Sequence, residues 1–273
     1  MRFEISDGRG ETLKSTAEEQ KEKVRAAYGE IARTRAAAGA ATCCAPPGAG
    51  PDYSAEEIAS VPPGAYLSEG SGNPVRAARL EPGETVVDLG SGAGMDVFLA
   101  ANRVGPAGRV VGVDMTPEMF ERARATARTG PYPQVEFLQG DIERLPLPSA
   151  SADAVLSNCV INLAPDKAAV YREIFRVLKP GGRFAIADIV LRGEPGRLRR
   201  ALLDLAPCSC VATALAENAY LETIRGAGFE GVEIVAERPA VSQPLDTLVR
   251  AQAVTLVGRK PFGLGPQGKP AAI

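Results

Sequence analysis

Five cysteines stand at positions 43, 44, 159, 208 and 210 of a 273-residue chain that contains no histidine. Without an imidazole, every Ser-His, Cys-His and His-ligated metal mechanism is absent, so these thiols must work without that base or ligand. The spacings C-C (Cys43-Cys44) and C-x-C (Cys208-Ser209-Cys210) chelate poorly as parts of a tetrahedral zinc site. A soft, thiophilic centre held by thiolates from separate segments suits them better. Cys159 alone fits a small buried hydrophobe as well as a ligand. It follows the apolar run Ala154-Val155-Leu156, just past the carboxyl end of an expected strand, where open α/β sheets place their ligands.

The second constellation is V-V-D-L-G-S-G-A-G-M-D at 86–96: a strand, a glycine turn (Gly90, Ser91, Gly92, Gly94) and a helix start. A glycine turn by itself is a weak signal. Here Asp114 closes the next strand at the distance of the ribose-binding acid of nucleotide folds. The spacing G-x-G-x-G departs from the dinucleotide pattern, and Asp88 and Asp96 would repel a pyrophosphate. The same carboxylates suit a cofactor that carries an amino group and a sulfonium, and S-adenosylmethionine is such a cofactor. Asp141, in G-D-I-E, is placed to meet the adenine amino group, with Ile142 beside it. Asn158, one residue before Cys159, completes the expected shell, and Met115 fits either the core or a shelf for adenine. Asp88 also fits a plain hydrogen-bond acceptor role, and Glu143 a solvated or helix-starting charge.

Elements to position these residues are legible. T-V-V-D-L (85–89), R-V-V-G-V-D (109–114), Q-V-E-F-L-Q (134–139), the strand before Cys159 and R-F-A-I-A-D-I-V (183–190) alternate with helix patterns from about 95 to 102, 117 to 128 and 166 to 178. That alternation predicts a parallel, doubly wound α/β sheet. Upstream, 13–33 reads as a charged helix with the stripe Leu13, Val24, Tyr28 and Ile31, and 36–52 as a loop carrying Cys43 and Cys44. Downstream, 197–205 and 217–227 read as helices, 231–237 and 251–259 as strands, and the Gly/Pro-rich end as a disordered tail. The expected organisation is therefore an N-terminal helix and Cys-bearing loop (1–79), a cofactor-binding Rossmann-like domain (80–190), a C-terminal substrate segment (191–260) and a tail (261–273).

A net charge of -2 gives no electrostatic reason to expect nucleic acid or an anionic membrane as partner. No apolar run reaches the roughly 18–20 residues of a membrane span. M-R-F-E-I-S-D-G-R-G-E lacks the apolar core of a secretory leader, so a cytoplasmic enzyme with reduced thiols is expected.

Over roughly residues 20–235 the sequence resembles the arsenite S-adenosylmethionine methyltransferases. The resemblance rests on D-L-G-S-G-A-G-M-D, G-V-D-M-T-P-E-M, S-N-C-V-I-N-L-A-P-D-K, R-V-L-K-P-G-G-R and C-V-A-T-A-L. The first and fourth of these are common among methyltransferases, whereas S-N-C-V-I-N-L with a downstream C-V-x-x-A-L is far more specific. The resemblance implies a class I methyltransferase fold and trivalent arsenic, as arsenite or methylarsenite, held by Cys159 and Cys210. Cys44 (or Cys43) stands for the family's N-terminal cysteine, Cys208 has no clear counterpart, and thioredoxin or glutathione is the implied reductant. One departure stands out. The turn G-S-G-N-P (70–74) carries Ser71 where the family usually has cysteine, and a hydroxyl does not replace a thiolate on arsenic. Either Cys44 or Cys208 substitutes, or turnover stops after fewer methyl transfers. The rival readings are a methyltransferase for an ordinary small organic molecule, which shares the whole cofactor half, and a zinc- or metalloid-binding regulator.

Overall fold

The computed structural model describes residues 4–6, 12–14, 16–34, 53–67, 70–204, 209–240 and 250–263. Strands β1 (Glu4–Ser6) and β2 (Thr12–Lys14) form a small antiparallel hairpin. The main sheet contains β3 (Thr85–Leu89), β4 (Arg109–Asp114), β5 (Val135–Gln139), β6 (Ala152–Asn158), β7 (Leu178–Leu191), β8 (Glu230–Pro239) and β9 (Ala251–Arg259). Its order is β5-β4-β3-β6-β7-β9-β8. The first five strands are mutually parallel, while β9 runs antiparallel to both β7 and β8. The sheet is thus mixed, where strand-helix alternation alone predicts a parallel one.

Alternation along each strand supplies two apolar faces. Val87, Leu89, Val111, Val113, Val155 and Ile186 pack toward α6 (Lys167–Val177) and α9 (Glu217–Gly226). Val86, Val110, Ala154, Leu156 and Ala185 pack toward α3 (Pro74–Ala78), α4 (Met95–Val104) and α5 (Pro117–Ala127). The strand order reverses between β3 and β6, which opens a crevice at their carboxyl ends. Gly90 and Cys159 follow directly on those ends.

The N-terminal helix begins later than its apolar stripe predicts. Leu13 belongs to β2, and α1 is Ala17–Thr34. Thr16 sets the start: its Oγ1 accepts from the Glu19 amide, and the Glu19 carboxylate accepts from the Thr16 amide. The short helix α2 (Ala55–Ala59) opens on a similar box between Ser54 and Glu57. The helices α7 (Arg197–Asp204) and α8 (Ser209–Ala212) follow β7, and β8 and β9 then return to the sheet that holds the glycine loop. Cys43, Cys44, Cys208 and most of the expected tail lie outside the described residues.

Candidate active site

Tight packing forces the glycine turn. Gly90 has φ +63°, and a Cβ there would lie 2.5 Å from both γ-carbons of Val160. The turn after β3 and the turn after β6 therefore touch across the crevice, and only glycine fits between them. The loop amides are committed internally. Gly90 and Ser91 donate to the Val113 carbonyl at 2.7 and 3.1 Å, and Gly92 donates to Asp114 Oδ2 at 2.9 Å. A phosphate-binding loop instead aims such amides at its ligand. Above Gly92 the space is open, since a Cβ there would meet nothing within 4 Å.

Around this turn the pocket collects three buried carboxylates, Asp88, Asp96 and Asp114, none of which forms an ion pair among the described residues. Asp88 is 3% exposed, and among the described residues nothing donates a hydrogen bond to it. Burial first, then the charges of Asp96 and Asp114, push Asp88 well above the ordinary carboxylate range. Burial lifts Asp96 to about 6, against the hydrogen bonds it accepts from Tyr53 Oη (2.6 Å) and Asn158 Nδ2 (3.2 Å). Asp114 is raised by burial too, although the amides of Gly92 and Thr116 hold its carboxylate. Buried, mutually repelling carboxylates of this kind call for a cation. Ser91 Oγ, buried in the same wall, has no hydrogen-bond partner among the described residues. A cationic nucleoside without phosphate, such as S-adenosylmethionine, fits this donor and acceptor set.

Of the expected cofactor shell, Asp88, Gly90, Ser91, Gly92, Asp114, Met115, Asp141, Ile142 and Asn158 line one pocket, whereas Gly94 caps α4 behind it. Asn158 has a larger role than the sequence suggests. Its Nδ2 donates to Tyr53 Oη and to the Gly72 carbonyl, both at 2.9 Å, and its Oδ1 accepts from the Ser71 amide at 2.8 Å. The turn at 70–74 is thus tied to the end of β6. Ser71 itself is 2% exposed, and its Oγ is without a partner among the described residues. Asp141 accepts from Lys21 Nζ at 2.6 Å and from the Glu143 amide at 2.9 Å, and Lys21 also pairs with Glu143. Lys21, Val24 and Tyr28 of α1, with Tyr53 and Tyr66, form a wall that sequence reasoning missed.

Cys159 lines this same pocket. It is a non-glycine residue at φ +59°, a conformation that costs about 1–3 kcal/mol and persists only where its surroundings enforce it. Its amide donates to the Ala187 carbonyl at 2.8 Å. Cys159 and Cys210 belong to one buried cluster with Leu163, Ile189, Leu203 and Val211. Helix α8, which carries Cys210, packs on the 3-10 turn Ile161–Leu163 that follows Cys159. Cys210 is disulfide-bonded in this structure and does not line the pocket, whereas Cys159 is not in a disulfide. Among the described residues no cluster of three or more His, Cys, Asp or Glu side chains could hold a metal ion. Among those residues, too, no helix is long and apolar enough to cross a membrane.

Residues 80–246 match the family model described as a methyltransferase domain. The chain is 48% identical over 183 residues to an arsenite methyltransferase of Halobacterium salinarum, covering 67% of this chain and 46% of that protein. It is 38% identical over 172 residues to an arsenite methyltransferase of Aquipseudomonas alcaligenes, covering 60% of this chain and 49% of that protein. The chain therefore spans about half the length of these curated relatives. The crystal structure of an arsenic(III) S-adenosylmethionine methyltransferase from Chlamydomonas reinhardtii superposes with a TM-score of 0.63 at 34% identity, over 78% of this chain and 73% of that one. With a glycine turn at the switch point of a seven-stranded mixed sheet, a wall of buried carboxylates beside it, and one family model matching residues 80–246, this chain belongs to the methyltransferase-domain family.

Proposed function

We propose that the protein transfers the methyl group of S-adenosylmethionine to trivalent arsenic held by its own thiols. The observation that carries this reading is the position of Cys159, which lines the carboxylate-walled pocket and shares a buried cluster with Cys210. The similarity to arsenite methyltransferases supports it. When bound, S-adenosylmethionine supplies an electrophilic methyl on a sulfonium, for which the lone pair of arsenic is a nucleophile. Asp88 and Asp96 would hold the cationic end, Asp114 the ribose and Asp141 the adenine amino group, with Met115 and Ile142 beside the adenine.

Cys159 and Cys210 hold the substrate. For each As–S bond formed from arsenite, an As–O bond breaks and the thiol proton leaves in water. No side chain need act as a general base, in accord with a chain that lacks histidine. What the fold contributes is proximity and alignment, an effect that reaches about 7–11 kcal/mol in well-oriented systems. Cys210 must first leave its disulfide. A dithiol such as reduced thioredoxin, or two glutathiones, supplies the two electrons and two protons and is itself oxidised to a disulfide. Cys44, outside the described residues, is the third thiol of this proposal, and the cytoplasm, where thiols are kept reduced, is the compartment it requires.

The test is to incubate reduced protein with S-adenosylmethionine, a dithiol and arsenite, and to speciate the arsenic. Cys159→Ser and Cys210→Ser should each abolish methylated arsenic while S-adenosylhomocysteine still binds. Methylation at the wild-type rate in either variant would instead favour an ordinary organic substrate.

A further inference from the structure

We infer that Asp188 is a positioning residue that fixes the Cys159 turn and the Cys210-bearing segment relative to one another; this rests on the arsenic reading above. Asp188 sits in β7, is 0% exposed and lies among apolar neighbours. A carboxylate is a costly choice for such a place unless its partners use it. Besides the Ile189 amide, which donates to Asp188 Oδ1 at 2.9 Å within β7, its partners fall into two groups. One is the turn after Cys159: Asn162 donates to Asp188 from its amide at 3.1 Å and from its Nδ2 at 2.8 Å. The same Nδ2 donates to the Ile189 carbonyl at 2.7 Å, and the Cys159 amide donates to the Ala187 carbonyl at 2.8 Å. The turn is thus stapled to three successive residues of β7, of which Asp188 is the middle one. The other partner is Tyr220 of α9, whose hydroxyl donates to Asp188 Oδ2 at 2.9 Å.

Tyr220 places the second sulfur. The segment that carries Cys210 runs through α8 and a short link into α9, and the link is fixed to β7 by the Leu191 amide on the Leu215 carbonyl. Asp188 therefore bonds both to the turn after Cys159 and to the helix that terminates the Cys210 segment. Lys167 of α6 closes the arrangement by donating to the carbonyls of Asn162 and Ala164 at 3.0 and 3.2 Å. The titratable groups facing Asp188 are Tyr220 on α9 and Lys167 and Tyr171 on α6, with Glu143 acting on Lys167. Burial lifts Asp188 to about 6, and its donors and Lys167 oppose that rise. Arsenite affinity should then weaken as pH falls through about 6, when the protonated carboxyl loses part of its accepting capacity.

The experiment titrates arsenite and, separately, S-adenosylhomocysteine by calorimetry into the reduced full chain, as wild type, Tyr220→Phe and Asp188→Asn. Each variant should weaken arsenite binding roughly tenfold, as expected when a hydrogen bond to a charged group is lost, while S-adenosylhomocysteine affinity stays within about twofold. The acid limb of arsenite binding should be present in wild type and absent in Asp188→Asn. Unchanged arsenite affinity in folded variants overturns the inference, and so does a parallel loss of both ligands, which would mark Asp188 as part of the general scaffold. If Asp188→Asn fails to fold, Tyr220→Phe decides, because it removes only a hydroxyl. A wild type that binds S-adenosylhomocysteine but no arsenite would overturn the arsenic reading itself, and this inference with it.

Discussion

At the scale of single residues, Asp96 shows how burial and function meet. Its carboxylate is held by Tyr53 and Asn158, yet lies so far from water that it titrates near 6. Asp96→Asn keeps an acceptor for Tyr53 and removes the charge. It should weaken S-adenosylmethionine by about 10- to 100-fold, the worth of a charged hydrogen bond in a dry site, as read by calorimetry at pH 7.5. An unchanged affinity would remove Asp96 from the cation's neighbourhood. Asp88, Asp114 and Cys159 were legible in the sequence because each sits within a residue of a strand end, where the chain's own periodicity places it. Tyr53 and Lys21 were not. They reach Asn158 and Asp141 across 105 and 120 residues of chain, and no local pattern encodes such a contact.

Among the elements, α1 is anchored by Lys21 on Asp141 and Glu143, Gln20 on the Leu163 carbonyl, Arg33 on Glu118 and Arg122 on the Ala32 carbonyl, with Val24, Tyr28, Ile31 and Ala32 packed on the body. The Lys21 side chain is 12% exposed, so its pairs rank between surface bridges and fully buried ones, worth about 1–2 kcal/mol. Lys21→Ala should therefore free one wall of the pocket, raise the S-adenosylhomocysteine Kd roughly tenfold and expose α1 to limited proteolysis. Resistance to protease with unchanged affinity would show that the helix stays in place without it. The start of α1 was misread because an apolar stripe fixes a helix face and leaves its ends open. The Thr16-x-x-Glu19 box supplies the missing end. The placement of β9 between β7 and β8 was likewise beyond periodicity, which identifies strands and says nothing of their neighbours.

For the whole molecule, the buried carboxylates Asp96 and Asp188 make the ligand-free fold pH-sensitive. Asp96 and Asp188 titrate near 6 in the fold against an ordinary 3.8. The folded chain thus keeps protons that the unfolded chain has already released between those values. Their stabilising contribution is fully present below 3.8 and is lost as pH rises through about 6. Each shift corresponds to about 3 kcal/mol at most. The melting temperature of the ligand-free protein should accordingly rise when pH is lowered from 8 to about 5.5, and S-adenosylmethionine should stabilise more at the alkaline end. A flat profile in differential scanning fluorimetry would contradict this sign.

The glycine turn carries one more implication. The amides of Gly90, Ser91 and Gly92 are already engaged by Val113 and Asp114, and the carboxylates of Asp88, Asp96 and Asp114 line the pocket beside it. Adenine nucleotides, abundant in any living cell and alike in base and sugar, would bring a polyanionic tail to a wall that repels it. ATP in large excess should therefore compete poorly with S-adenosylmethionine in a binding assay, and selectivity among adenosine compounds would follow from where a backbone turn spends its donors.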